Sequence, residues 1–164
     1  MIIINKSRYL KYKNLKFRCA LGKSGIKKKT REGDNVTPKG IYKILKVFYR
    51  KDRIKKIKTP FKKIKITKKI GWCDDVKSKY YNKQISIPTT LGHEKLHRSD
   101  NIYDIICVIN YNINPTVANK GSAIFLHIAK RNYKNTRGCV ALKKNHLLKL
   151  LSLIKKDTKI KIIE

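Results

Sequence analysis

Between Ile41 and Phe48, and again between Ile57 and Ile70, apolar and basic side chains alternate, with Lys62-Lys63-Ile64-Lys65-Ile66-Thr67 changing side every residue or two. A period near two sends successive side chains to opposite faces of an extended chain, so both stretches predict half-buried β-strands. Turn-forming sequences punctuate the same half of the chain: Gly22-Lys23-Ser24-Gly25, Arg31-Glu32-Gly33-Asp34-Asn35, then Pro38 and Gly40. A meander of strands and hairpins follows from that pattern. Two strongly apolar runs, Ile102 to Ile109 and Ser122 to Ile128, are rich in β-branched residues and read as central strands. From Ala141 to Ile154, leucines recur at three- and four-residue steps, which predicts an amphipathic helix. Lys159 to Ile163 alternates once more and is expected to close a sheet edge, its lysines discouraging aggregation. Gly71 to Asp100 is polar, aromatic and turn-rich, and reads as a long irregular connection that walls a groove.

The expected fold class is therefore α+β, mainly β. No internal repeat or break in composition divides the chain, and its 164 residues predict one domain over 1–164, large enough to bury a core without disulfides or metals.

A formal net charge of +32 suggests a polyanionic partner. The basic residues are overwhelmingly Lys, spread along nearly the whole chain beside abundant Ile, Asn and Tyr, a set that AT-rich codons favour. Nucleic-acid readers concentrate charge on one face and use Arg forks, so no dedicated nucleic-acid partner is expected. Cys19, Cys73, Cys107 and Cys139 include no C-x-x-C pair and no zinc-like spacing, so free thiols and no metal are expected. Met1-Ile2-Ile3-Ile4 is too short for a signal-peptide core or a membrane span, so neither is expected in this chain.

Chemistry concentrates near the C-terminal third. Gly121-Ser122-Ala123-Ile124-Phe125-Leu126-His127 ends an apolar run in a His, and Thr136-Arg137-Gly138-Cys139-Val140 puts a Cys on a Gly-containing turn. A thiol with a reference pKa of about 8.5 is mostly protonated at neutral pH. A nearby imidazole can take that proton and return one to a leaving amine. Gly138 permits close backbone approach to a substrate, and the N–H groups near Gly138 and Cys139 are candidates to hold a tetrahedral oxyanion. A helix starting nearby would favour thiolate through its N-terminal field.

These residues carry a resemblance. His127, eight intervening residues and Thr136-Arg137-Gly138-Cys139-Val140 resemble the signature of the L,D-transpeptidase catalytic-domain (YkuD-like) family, with Arg137 where many members carry His. Arg31-Glu32-Gly33-Asp34-Asn35-Val36-Thr37-Pro38-Lys39-Gly40-Ile41-Tyr42, in which Thr-Pro-x-Gly leads into a strand, is similar to the family's early turn. Gly71-Trp72-Cys73-Asp74-Asp75, with His93-Glu94-x-Leu96 and Arg98-x-Asp100-x-x-Tyr103, looks like a compact, mostly proteobacterial branch.

The resemblance implies a YkuD-like β-sandwich with a helix after the catalytic Cys, no cofactor, and a periplasmic or cell-wall place in a bacterium. It implies that Cys139 attacks a peptidoglycan stem peptide, expels a terminal D-amino acid and holds the acyl group as a thioester. An amine of a neighbouring stem then takes the acyl group, with His127 moving protons and the Gly138 backbone alongside. The implied substrate-binding set is Thr136, Arg137, Trp72, Asp74, His93, Arg98 and Tyr103. Several of these have a second reading: Thr136 as a turn cap, Arg137 as one more surface cation, Trp72 as a core anchor, and the His93 to Asp100 segment as a solvated loop. Water as acceptor would give an L,D-carboxypeptidase, and some relatives link through the first stem residue. Outside the class stand a basic polyanion-binding protein with a structural Cys139 and a cysteine peptidase or amidase with intracellular substrates.

Overall fold

The structure is a computed structural model that describes residues 1–164. Fourteen strands and one α-helix follow in chain order: β1 (Ile2–Asn5), β2 (Tyr9–Tyr12), β3 (Leu15–Ala20), β4 (Ile26–Lys27), β5 (Thr37–Pro38), β6 (Gly40–Tyr49), β7 (Lys63–Lys65), β8 (Ile70–Cys73), β9 (Gln84–Ser86), β10 (His93–Lys95), β11 (Ile105–Ile109), β12 (Phe125–Ile128), β13 (Val140–Leu142), α1 (Lys144–Leu153) and β14 (Lys159–Ile163).

The meander expected at the start is present, since β1, β2 and β3 pair antiparallel in succession. Two strands then join two sheets. β6 pairs with β14 through Gly40–Lys43 and with β11 through Ile44–Tyr49, and β3 pairs with β2 on one side and with β13 on the other. One sheet runs β3-β2-β1-β14-β6 and the other β3-β13-β12-β11-β6-β7, so the strands close on themselves as a sandwich.

Burial follows the period-two pattern where pairing is continuous. In β14, Ile160 and Ile162 are fully buried while Lys159 and Lys161 face out. This strand lies between β1 and β6, so it is an interior strand rather than the expected edge. Its lysines cover an outer face, and the guarding role does not arise.

The stretch from Ile57 to Ile70 departs further, because only Lys63–Lys65 becomes a strand. Pro60 lacks the N–H a ladder needs. Ile54, Ile57 and Phe61 are all buried in the main core at steps of three and four, so this loop plugs the core instead of continuing the sheet.

β11 is buried on both faces. Ile105, Cys107 and Ile109 enter the main core, which also takes Leu147, Leu150 and Leu151 of α1. Ile106 and Val108 face a second core with Phe48, Trp72, Leu96, Tyr103, Phe125 and Cys139. That second core is roofed by residues 70–95, where the expected irregular connection is interrupted by β10, β8 and β9, an antiparallel sheet of their own. The helix expected from Ala141 begins instead at Lys144, because Val140–Leu142 is drawn into the sheet between β12 and β3.

Candidate active site

Three backbone segments meet where β12 and β13 begin. The Thr136 N–H donates to the Leu21 carbonyl (2.9 Å) and the Lys23 N–H donates to the Thr136 carbonyl (3.0 Å), pinning the 136–139 turn alongside Gly22. Gly22 N–H in turn donates to the Thr37 hydroxyl (2.8 Å). This crowding explains the glycines. A Cβ on Gly22 would lie 2.2 Å from the Asn35 carbonyl oxygen, and one on Gly138, where φ is +136°, would lie 2.8 Å from that of Val36. Gly138 therefore serves close approach to the chain's own backbone, a need the sequence did not signal.

Thr136 closes the turn through its hydroxyl, which accepts the Gly138 N–H (3.1 Å) and donates to the Cys139 carbonyl (2.6 Å). Of the two amides expected to face an oxyanion, that of Gly138 is thus engaged, and that of Cys139 has no internal partner. The expected helix field does not reach the thiol. Four extended residues, Val140 to Lys143, spanning about 13 Å, separate Cys139 from the start of α1, and a helix terminus acts within about one turn.

Cys139 is 8% exposed and His127 6%, and both line one cavity of about 610 Å³. The Cys139 thiol donates to the Ala123 carbonyl (3.1 Å), and its sulfur accepts the Phe125 N–H (3.4 Å). Burial, with Glu94 adding to it against the Phe125 N–H and Lys29, pushes the thiol up to about 12. His127 Nδ1 lies 2.9 Å from the Ile128 carbonyl oxygen. A carbonyl can only accept, so Nδ1 carries the proton and Nε2 is left as the acceptor. Burial lowers His127 to about 4 against the pull of that carbonyl, so the ring is neutral at pH 7. The resting pair is therefore thiol and imidazole, not thiolate and imidazolium. Alkylation of Cys139 by iodoacetamide should rise about tenfold per pH unit from pH 6 to 9. A plateau near neutrality, read by intact mass, would show a preformed thiolate instead.

The other expected site residues divide into two groups. Asp74, Arg98, Tyr103, Thr136 and Arg137 line the same cavity as Cys139. Within it, Arg98 is already held by Asp100 (2.7 Å) and stacks over the Tyr103 ring (5.4 Å). Tyr103 packs edge-on against His127 (5.3 Å). Arg137 is exposed and forms no ion pair.

Trp72 and His93 lie outside the lining. His93 sits on β10 with Nδ1 2.8 Å from the Leu91 carbonyl oxygen. Trp72 is 2% exposed, edge-on to Phe48 and Phe125, and donates Nε1–H to Asn82 Oδ1 (3.0 Å). It anchors the second core and is not a groove wall, because β8 turns its indole inward. Trp72→Phe is expected to cost about 1–2 kcal/mol of stability for the lost hydrogen bond. Urea unfolding reads that loss, and substrate KM should move less than twofold.

Two residues escape the sequence reading. Asn82 Oδ1 also accepts the Ala123 N–H (3.0 Å), and its amide donates to the carbonyls of Tyr111 and Asn112, so it positions the very residue that holds the Cys139 thiol. Nothing marks this single Asn in the sequence, since its partners come from three separate segments. Glu32 lines the cavity with Oε2 held by the Tyr81 (2.5 Å) and Ser122 (2.7 Å) hydroxyls. Its only sequence signal is its place in the early turn.

All four cysteines are free, no cluster of three or more potential ligands could hold a metal ion, and no helix is long and apolar enough to cross a membrane.

A mainly-β sandwich that brings a buried thiol and a neutral imidazole to one cavity defines a thiol–imidazole protein. The chain belongs to the L,D-transpeptidase catalytic domain family, YkuD, whose model matches residues 1–162. Among solved structures it is similar in fold to Bd1075 of Bdellovibrio bacteriovorus, at 18% identity and a TM-score of 0.50, over 99% of this chain and 46% of that one. The chain thus spans about half the length of that protein. No curated protein matches it.

Proposed function

We propose that this protein is a cysteine-dependent L,D-transpeptidase acting on peptidoglycan stem peptides in the periplasm or cell wall, with Cys139 as nucleophile and His127 as general base and acid. The observation that carries this reading is the shared cavity: His127, its Nδ1 committed to the Ile128 carbonyl, keeps Nε2 as an acceptor and lines the same cavity as Cys139.

Because burial disfavours both charged forms, proton transfer before attack is uphill. The thiol proton therefore passes to His127 Nε2 as the sulfur–carbon bond forms at the stem-peptide carbonyl. The oxyanion that develops takes the Cys139 N–H. Collapse breaks the C–N bond, and the imidazolium protonates the departing D-amino acid, leaving a thioester on Cys139. An acceptor amine then attacks the thioester carbon, its proton leaves through His127, and the sulfur departs as thiol. In this reading Arg137, without an ion pair of its own, holds a substrate carboxylate through its guanidinium fork.

The test is mass spectrometry of purified tetrapeptide muropeptides after incubation with the protein. Cross-linked dimers, with fragmentation placing the bond, support transpeptidation. Tripeptides alone turn the assignment to L,D-carboxypeptidase. Unchanged substrate, with no acyl mass on Cys139, overturns the acyl-transfer reading.

A further inference from the structure

The outer face of one sheet lies on the far side of the molecule from Cys139. Pairing of β6 with β11 closes the circuit β11-β12-β13-β3-β2-β1-β14-β6, so β1 stands four strands from β12, and β14 four from β13, in either direction. His127 and Ala141 reach the cavity from the outer side of β12 and β13, while Leu126, Ile128, Val140 and Leu142 enter the main core. The outer face of β1 and β14 therefore points away from the cavity.

Side chains of one parity reach that face, and register lines them up across five strands. Lys16, Lys11, Ile3, Lys161 and Ile41 form one row from β3 to β6, and Lys159 stands opposite Lys43 in another. All but the half-buried Ile3 are exposed.

Two features set this face apart from lysines that merely meet water. None of the 10 Asp and Glu lies on β1, β2, β3, β6 or β14; Asp157 and Glu164 only flank the ends of β14, and Glu164 is held by Lys39 (3.8 Å). Lys11, Lys16, Lys43, Lys159 and Lys161 form no ion pair. Lys11 faces Lys16, and Lys43 faces Lys159, directly across the ladder, where like charges repel. Apolar side chains also stand among them. Ile41 is 58% exposed, Leu45, two residues beyond Lys43 on the same strand, 45%, and Met1, at the head of β1, 61%. These are three of the six large apolar side chains that the fold leaves exposed, so they cluster here.

Repelling lysines with no carboxylate among them fit an array of anions, and a soluble polyanion would satisfy them. It would leave the apolar side chains in water. A bilayer with acidic headgroups satisfies both, because lysine ammoniums reach lipid phosphates while the isoleucine, leucine and methionine side chains enter the acyl boundary. We infer that the outer face of β3, β2, β1, β14 and β6 seats the protein on an anionic bilayer surface and turns the Cys139 cavity away from the lipid. The contact is peripheral, built from several weak headgroup contacts, and it weakens with salt. It stands independently of the acyl-transfer reading, since none of these face residues lines the cavity.

The test is co-sedimentation of the full chain with phosphatidylcholine vesicles containing about one third phosphatidylglycerol, at about 0.15 M salt, beside duplex DNA as a soluble polyanion. Three variants are compared with wild type, each checked by circular dichroism. Lys11→Gln/Lys16→Gln/Lys161→Gln removes three charges from the face. Lys55→Gln/Lys56→Gln/Lys58→Gln removes as many from exposed positions in the loop that plugs the main core. Ile41→Thr/Leu45→Thr keeps every charge. Wild type is expected to bind these vesicles and not pure phosphatidylcholine. The face-lysine variant should lose at least about tenfold in vesicle affinity and the loop variant no more than about twofold. The threonine variant should lose several-fold on vesicles with its DNA affinity unchanged. Equal losses in the two lysine variants would mean that net charge alone drives binding, which overturns the face. A threonine variant that binds vesicles like wild type would make the face a polyanion site and overturn the lipid seating. Wild type that fails to sediment with acidic vesicles overturns it outright, and none of these outcomes bears on the chemistry of Cys139.

Discussion

Cys139→Ala is expected to lower muropeptide turnover by at least about a thousandfold, because no other group in the cavity can hold the acyl intermediate. The structure separates this loss from a folding defect. Removing the sulfur leaves the buried Phe125 N–H and the Ala123 carbonyl without their partner, a cost of about 1–3 kcal/mol. A shift of that size leaves a stable domain mostly folded, so it cannot mimic a thousandfold fall. Cys139→Ser sharpens the comparison. Its hydroxyl can keep both contacts and recover stability, yet it is a far poorer nucleophile beside a neutral imidazole. Steady-state assays paired with urea melts should therefore show Ser restoring stability without restoring rate. Activity that survived in either variant would move the chemistry away from Cys139.

Asp34→Ala should produce the largest loss of stability, about 3–5 kcal/mol, because it strands the Lys29 ammonium in the interior. The side chains of Lys29 and Asp34 are 2% and 10% exposed, and their atoms meet at 2.5 Å. Asp34 also accepts the N–H groups of Thr30 (3.0 Å), Arg31 (3.3 Å) and Val36 (3.0 Å), so one carboxylate organises the whole turn that precedes β5. That turn carries Glu32 into the cavity and lays Val36 against Gly138.

Burial raises the Asp34 carboxyl, but Lys29 and the three amides more than reverse this and hold it below its usual value. A depressed carboxyl stabilises the fold above its unfolded pKa of about 3.9, and that contribution disappears as pH falls through the lower folded value. Wild type should lose this increment on acidification while Asp34→Ala, having none, does not. Urea midpoints at pH 7 and pH 3 read the difference. Equal midpoints for the two proteins at pH 7 would mean that Lys29 finds water or another partner.

Much of the frame was legible from local pattern. Alternation in β6 and β14, the apolar runs of β11 and β12, and the leucine spacing of α1 each report which face of an element is buried, and burial of one face is what local sequence encodes. The pattern failed where burial did not come from pairing. Ile57 and Phe61 alternate with polar residues like a strand but are buried by a loop. Val140–Leu142 continues a helical pattern but is captured by neighbouring strands. Trp72 stands among polar residues in sequence and turns inward only because β8 is roofed against β11 and β12.

The sequence by itself determined the thiol and the imidazole, their membership of one family signature, and the Thr-Pro-x-Gly turn that leads into β6. These are short, contiguous elements whose chemistry does not depend on distant partners. Tertiary structure alone decided their state. The pairing of β12 with β13 puts His127 and Cys139 on one cavity, the Ile128 carbonyl selects the tautomer, and burial keeps both groups neutral. It also decided that Glu32, Asp74 and Glu94, far apart in the chain, share that cavity with Lys23, Lys29, Arg98, Lys130, Lys134 and Arg137. Proton affinity and charge balance are set by every group that surrounds a site, and those groups are assembled only when the chain folds.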